Sequence, residues 1–152
     1  MADNLSSMLT PKDIAASDLI DHIKLSTDAS KVVYSVGPRF RAVDRATSAL
    51  WLAATFQAGS AKQITSGAYH DSSPRFHPDD SSILFLSDRR KVGGPSQIYQ
   101  LPLSNLSGEP VALTSVDNTK SVASFSMSPD GAYVAFIRHD EWCLDDKVIL
   151  SS

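Results

Sequence analysis

The chain has 152 residues, 42% of them hydrophobic and 20% charged, with a formal net charge of −3. That length suffices for one domain with a proper core and is too short for two large ones. The composition argues against disorder, and the charge leaves no basic field for nucleic acid and no polybasic patch for an anionic membrane.

The opening Met-Ala-Asp-Asn-Leu-Ser-Ser-Met-Leu-Thr lacks a basic region and an apolar run, so no secretory signal is expected. No apolar stretch approaches the roughly 20 residues of a membrane span. The single cysteine, Cys143, cannot form an internal disulfide and suits a reducing compartment, which makes a cytoplasmic address the expectation. On that expectation the glycosylation sequons at Asn4-Leu5-Ser6 and Asn105-Leu106-Ser107 are chance matches.

In chain order, Thr10-Pro11-Lys12-Asp13 supplies an N-cap, a proline for the first helical position and an acidic first turn. Ile14, Leu19, Ile20 and Ile23 can then form one apolar face, which predicts a short helix within an N-terminal segment, residues 1–21, lying on a β body. From residue 22 the periodicity shortens. Strands are expected at 22–25, 31–36, 50–53 and 62–65, and again at 74–76, 82–87, 97–101 and 111–114. A third set begins at 123–127 and 132–137, with Val148-Ile149-Leu150 as the start of its third strand.

A short phrase punctuates these sets: Ser26-Thr27-Asp28-Ala29, His77-Pro78-Asp79-Asp80 and Ser128-Pro129-Asp130-Gly131. The step between copies is about 51 residues, near the period of propeller blades, and four strands per unit is the content of one blade. The expected fold is therefore all-β, a partial propeller of about two and a half four-stranded blades. Blade 1 spans 22–70, blade 2 spans 71–120, and an incomplete blade 3 spans 121–152. A self-contained β-sandwich also suits short strands with regular turns, but sandwiches do not require equal units.

Ser128-Pro129-Asp130-Gly131 fits a tight type I turn, with Pro presetting φ at the second position and Gly favoured at the fourth. Copy two keeps the proline and aspartate, and copy one keeps the serine and aspartate. Three equivalent carboxylates on three radial units cannot converge on one site, so Asp28, Asp79 and Asp130 are read as turn braces. The apolar triplets after the turns, Val32-Val33-Tyr34, Ile83-Leu84-Phe85 and Val134-Ala135-Phe136, read as core between blades.

Ser73-Pro74-Arg75-Phe76-His77-Pro78-Asp79 running to Phe85-Leu86-Ser87-Asp88-Arg89, and Phe125-Ser126-Met127-Ser128-Pro129-Asp130-Gly131 running to Val134-Ala135-Phe136, resemble the TolB-like propeller repeat. With the opening Leu9-Thr10-Pro11-Lys12-Asp13, the chain resembles from about residue 9 to 138 the prolyl oligopeptidase family of serine peptidases. The nearest branch is the acylaminoacyl-peptidase and dipeptidyl-peptidase V-like enzymes. The resemblance implies a propeller that restricts access to a hydrolase domain carrying Ser, Asp and His.

No Gly-x-Ser-x-Gly elbow is present; Gly94-Pro95-Ser96-Gln97-Ile98 comes closest, lacks the second glycine, and places Ser96 in a loop before a strand. Among the histidines His22, His70, His77 and His139, His70 adjoins Asp71 in sequence, but strand neighbours point to opposite faces. His77 with Asp79 and Asp80 offers a metal-ligating combination, but turn chemistry is the favoured reading. Cys143 beside Trp142 reads as inert. Arg89-Arg90-Lys91 reads as a solvated basic hairpin tip, or as a contact for a peptide carboxylate or a hydrolase domain.

No catalytic, cofactor-binding or metal residue is assigned, and no cofactor is expected. The expectation is an inactive propeller piece of a peptidase, with peptide substrates only in a full-length parent. The alternative is a non-enzymatic TolB-like module that pairs with a protein, or with itself, through open blade edges.

Overall fold

A computed structural model of the chain describes residues 17–38, 47–115, 119–138 and 149–151, and these form three antiparallel sheets. The first contains β1 (Asp18–Leu25), β2 (Lys31–Pro38), β3 (Ala49–Ala54) and β4 (Lys62–Gln63) in sequential order. The second repeats this order with β5 (Ser72–Phe76), β6 (Ser82–Ser87), β7 (Gln97–Pro102) and β8 (Val111–Ala112). The third contains β9 (Val122–Met127), β10 (Val134–Arg138) and β11 (Ile149–Ser151), with β10 between the other two. Sequential meanders on a common period are propeller blades. The strand following β10 in the ladder is the one expected at Val148-Ile149-Leu150.

One expectation is corrected. Leu19, Ile20 and Ile23 do not lie on a helix: they belong to β1, whose backbone groups pair with β2. The reason is a β-bulge between Asp21 and Lys24, with His22 at φ 52°. The extra residue shifts the side-chain parity, so that apolar residues three apart share a sheet face and imitate a helical stripe. Blade 2 has the same irregularity between Ser72 and Arg75, with Ser73 at φ 52°. The preceding part of the expected helix lies outside the described residues.

Blade 2 is apolar on both faces, and the faces differ. Between blades 1 and 2, aliphatic Val33, Leu50, Leu52 and Ile64 meet Ile83, Phe85, Tyr99 and Leu101. Between blades 2 and 3, aliphatic Leu84, Leu86 and Ile98 meet Val122, Phe125 and Phe136. The forward faces of blades 1 and 2 are thus branched and aliphatic, and the backward faces that meet them are rich in aromatic rings. Phe85 stands opposite Tyr99 in register, with ring centroids 6.3 Å apart.

A buried ion pair ties blade 2 to the linker that precedes it. Asp71 is fully buried, and Arg89 Nη2 donates to both its carboxylate oxygens at 3.0 and 3.1 Å. The guanidinium carbon lies 5.0 Å from the centroids of Phe85 and Tyr99 and 5.3 Å from that of Tyr69. Nε donates to Ser87 Oγ at 3.1 Å. Next to it, buried Asp88 accepts from the His70 amide at 2.8 Å and the Gly93 amide at 2.6 Å. Arg89 is therefore not part of a solvated basic tip, although Arg90 and Lys91 are exposed.

The turns after β1, β5 and β9 share one geometry. The first residue's carbonyl accepts from the fourth residue's amide in Ser26/Ala29, His77/Asp80 and Ser128/Gly131, at 2.9, 2.8 and 2.9 Å. The fourth residue is left-handed each time: Ala29 at φ 56°, Asp80 at 55° and Gly131 at 73°. Glycine occupies that region without a Cβ penalty, whereas a residue with a side chain pays roughly 1–2 kcal/mol.

Two stability outcomes follow. Ala29→Gly relieves the strained φ against a greater loss of chain entropy, and should raise stability by about 0.5–1 kcal/mol, read as a higher urea midpoint at unchanged m. Asp71→Asn leaves the Arg89 charge uncompensated and should cost about 3–5 kcal/mol, while the pair Asp71→Leu with Arg89→Met should recover most of that loss in the same titration.

Candidate functional site

The three first strands converge. β5 packs against both β1 and β2. Where the first strands end, a cleft of about 290 Å³ takes its walls from equivalent positions of all three blades: Lys24, Arg75 and Ser126, then Leu25, Phe76 and Met127, then Thr27, Pro78 and Pro129. First strands that share one cleft are the inner strands of a radial array. The wall carries two cations one repeat apart, and the Arg75 guanidinium also lies 5.6 Å from the Phe125 ring centroid. Chemically this surface can attract a carboxylate or another anion.

The turns around the cleft interlock. Asp80 of blade 2 accepts from the Thr27 amide of blade 1 through both oxygens, at 3.0 and 2.9 Å, and Thr27 Oγ1 donates to the Pro78 carbonyl at 3.1 Å. On the other side, a Cβ on Gly131 would lie 2.5 Å from the His77 ring. Glycine is required there by that contact and favoured by its φ of 73°.

Asp28, Asp79 and Asp130 brace their own turns. Asp28 accepts from the Ser30 amide at 2.9 Å and from the Ser26 and Ser30 hydroxyls at 2.7 Å. Asp79 accepts from the Ser81 amide at 2.8 Å and lies 2.6 Å from His77 Nδ1. Asp130 takes the Ser128 hydroxyl and the Ala132 amide. The three therefore do not share a site. His77, Asp79 and Asp80 also diverge, because Asp80 turns to blade 1, and among the described residues no group of three or more His, Cys, Asp or Glu is placed to hold a metal.

A second cleft, of about 220 Å³, holds the serine and histidine that most resemble catalytic partners. Ser48 Oγ lies 3.1 Å from His70 Nδ1 but donates its hydrogen to the Asp71 carbonyl at 2.6 Å. Nδ1 must then donate to Oγ, the reverse of a base that activates a nucleophile. Asp71 meanwhile faces Arg89, so His70 and Asp71 point apart as expected. His22 is exposed, 3.5 Å from Asp21. Ser96 precedes β7 in a loop, its amide accepted by Ser121 Oγ at 3.1 Å. His139, Trp142 and Cys143 lie outside the described residues.

Sequence reasoning missed the Asp71–Arg89 pair and the Lys24–Arg75 wall. Each had a signal: Arg89 stands two residues beyond a wholly buried strand, and Lys24 and Arg75 are separated by one repeat.

The braced aspartates give the fold an acid dependence. Hydrogen bonds from the Ser30 amide and the Ser26 and Ser30 hydroxyls hold Asp28 down at about 2, and the Ser81 hydroxyl and amide with His77 do the same for Asp79. The Ser128 hydroxyl and Ala132 amide lower Asp130. The unfolded chain, with aspartates near 3.9, takes up these protons first. The turns' contribution is thus fully present above about pH 4 and is lost as pH falls toward 2. Replacing Asp28 with Asn should flatten the decline of stability with pH over that interval, measured by urea midpoints at fixed ionic strength.

No protein-family model matches the chain. In sequence it is 29% identical over 127 residues to the uncharacterized peptidase YuxL of Bacillus subtilis, covering 84% of this chain and 18% of that protein. In structure it is similar to the acylaminoacyl peptidase of Pyrococcus horikoshii, with a TM-score of 0.64 at 16% identity, covering 89% of this chain and 20% of that one. It is also similar to TolB from Acinetobacter baumannii, with a TM-score of 0.60 at 21% identity, covering 86% and 29%. The chain spans less than a third of each of these proteins. Three sequential β-meanders on a repeat of about 51 residues, together with the likeness to these solved structures, show that the chain has a TolB-like β-propeller fold.

Proposed function

We propose that the chain is the substrate-gating propeller part of an acylaminoacyl-peptidase or dipeptidyl-peptidase V-like serine peptidase and does not hydrolyse peptides itself. The observation that carries this reading is the sequence similarity to a peptidase across the same repeats that form the three blades. Lys24 and Arg75 on the inner wall support it, because a cationic wall favours short peptides with a free carboxylate. Hydrolysis would belong to a Ser-Asp-His domain, and these 152 residues contain no Gly-x-Ser-x-Gly to supply its nucleophile.

A second reading, a non-enzymatic TolB-like module that binds a protein, is favoured by the two TolB structures with TM-scores of 0.60 and 0.61, close to that of the peptidase. A cytoplasmic address is proposed for either, supported by the single cysteine. Among the described residues, no helix is long and apolar enough to cross a membrane.

Purified chain incubated with acylated and dipeptidyl chromogenic substrates should show no turnover above buffer. Turnover abolished by a serine-reactive inhibitor would overturn the assignment. Fused ahead of a homologous hydrolase domain, the chain carrying Lys24→Ala and Arg75→Ala should raise KM for peptides with a free carboxylate more than for their amides. Equal KM for both substrate types would remove the role given to that wall.

A further inference from the structure

The cleft framed by the three first strands lies across the two blade junctions, and its cations stand inside them. Lys24 pairs in register with Val33, and Arg75 with Leu84, so both lie on forward faces, toward the next blade. Phe76 and Met127 pair with Ile83 and Val134 and lie on the backward faces that meet them. Each junction therefore contributes to the cleft a cation from one blade and a half-buried apolar side chain from the next.

Among the described residues no ion pair engages Lys24 or Arg75. Arg75 is half-buried, with its guanidinium carbon 5.6 Å from the ring centroid of buried Phe125. A guanidinium held over a ring keeps its in-plane N–H fork for a carboxylate, whereas exposed Lys24 acts as a point charge. The backbone around the cleft offers few donors. Pro78 and Pro129 have no N–H, and the Thr27 amide and hydroxyl are engaged by Asp80 and the Pro78 carbonyl. An extended mid-chain segment docks through alternating main-chain donors and acceptors, which this rim does not supply. The rim suits a terminal group read by side chains.

We propose that this cleft selects peptides whose carboxyl-terminal residue is apolar. The Arg75 fork takes the carboxylate, Phe76 and Met127 take the side chain, and Lys24 raises the rate of encounter. An exposed ion pair alone is held weakly, so selectivity comes from the charge and the apolar surface acting on one residue. The inference rests on the reading of this wall as one that meets peptide carboxylates, and adds to it the side chain that must accompany the carboxylate and separate roles for the two cations.

The test titrates the isotope-labelled 152-residue chain with N-acetyl-Ala-Ala-Leu, its carboxamide, N-acetyl-Ala-Ala-Ser and octanoate, and follows amide shifts by NMR. The leucine acid should shift amides at the ends of β5 and β9 and bind about tenfold tighter than its carboxamide. It should bind about fivefold tighter than the serine acid. Arg75→Lys keeps the charge and removes the fork, and should erase most of the acid's advantage over the carboxamide. Lys24→Ala should weaken the acid only about twofold to threefold and lessen its dependence on salt. Circular dichroism checks that both variants fold, and the ligand series on wild type decides the outcome if either does not. No binding by the folded chain, equal binding of acid and carboxamide or of leucine and serine acids, or shifts confined to residues away from the cleft would overturn the proposal. Octanoate that matches the leucine acid and displaces it would assign the cleft to fatty carboxylates and overturn the peptide assignment. The peptidase reading would fail separately, on turnover by the chain alone, which these titrations do not measure.

Discussion

The Asp71–Arg89 pair is the constraint on which the packing of blade 1 against blade 2 depends. Asp71 sits in the linker between the blades, and its amide donates to the Ser48 carbonyl at the start of β3 while its carboxylate holds Arg89 at the end of β6. One residue thus fixes both sheets to the same point. Its neighbour doubles the attachment, since the His70 amide reaches Asp88. Burying two charges is costly, and the geometry shows what offsets it: two carboxylate contacts from one nitrogen, a hydroxyl on Nε, and three rings around the guanidinium. Burial pushes the Tyr99 hydroxyl pKa up, while Arg89 and Arg90 act against that shift, so the same charge serves the aromatic cluster.

The next junction keeps the backbone part of this device and places an apolar side chain where Asp71 stands. Val122 stands one repeat after Asp71, and its amide donates to the Ser96 carbonyl at 2.8 Å just as Asp71 donates to Ser48. Its side chain, however, joins the apolar cluster with Phe125 and Leu84. At that junction blade spacing is therefore set by the backbone bond and the close-packed faces, whereas between blades 1 and 2 the ion pair takes the place of the hydrophobic anchor. It adds orientation, because a planar guanidinium fixed by a carboxylate admits one arrangement where an aliphatic side chain admits several.

Much of this fold was legible because its determinants are local. The turn phrase encodes a left-handed fourth residue, and Gly131 announces it, so the period could be read even where Ala29 and Asp80 replace glycine. Strands such as Ser82–Ser87 are continuous apolar runs that need no tertiary knowledge. The first half of β1 was not legible, although its end at 22–25 was, because a bulge breaks the alternation that identifies strands and leaves Leu19, Ile20 and Ile23 at a spacing that a helix would also use. Arg89 was misread for the opposite reason. Its local context is a basic, glycine-flanked loop, and the carboxylate that draws it inward is 18 residues away across a linker. Turn chemistry and core pattern are properties of neighbours in sequence; the ion pair and the inner cationic wall are properties of neighbours in space.

The repeat also gives the array a direction. If both faces of each sheet were alike, blades could stack in either sense, and the ends of a segment would be equivalent. Here the forward faces present Val33, Leu50 and Leu52 or Leu84, Leu86 and Ile98, and the backward faces present Phe85 and Tyr99 or Phe125 and Phe136. Flat rings pack closely against branched chains, and volume complementarity of this kind favours one order over its reverse. The interlocked turns impose the same order, since Asp80 reaches back to Thr27 while Gly131 leaves room for His77 behind it. The side chains that look most chemical, Asp28, Asp79, Asp80, Asp130 and His77, are thereby engaged in holding blades in sequence. The surface left with unspent chemistry is the cationic inner wall of Lys24 and Arg75.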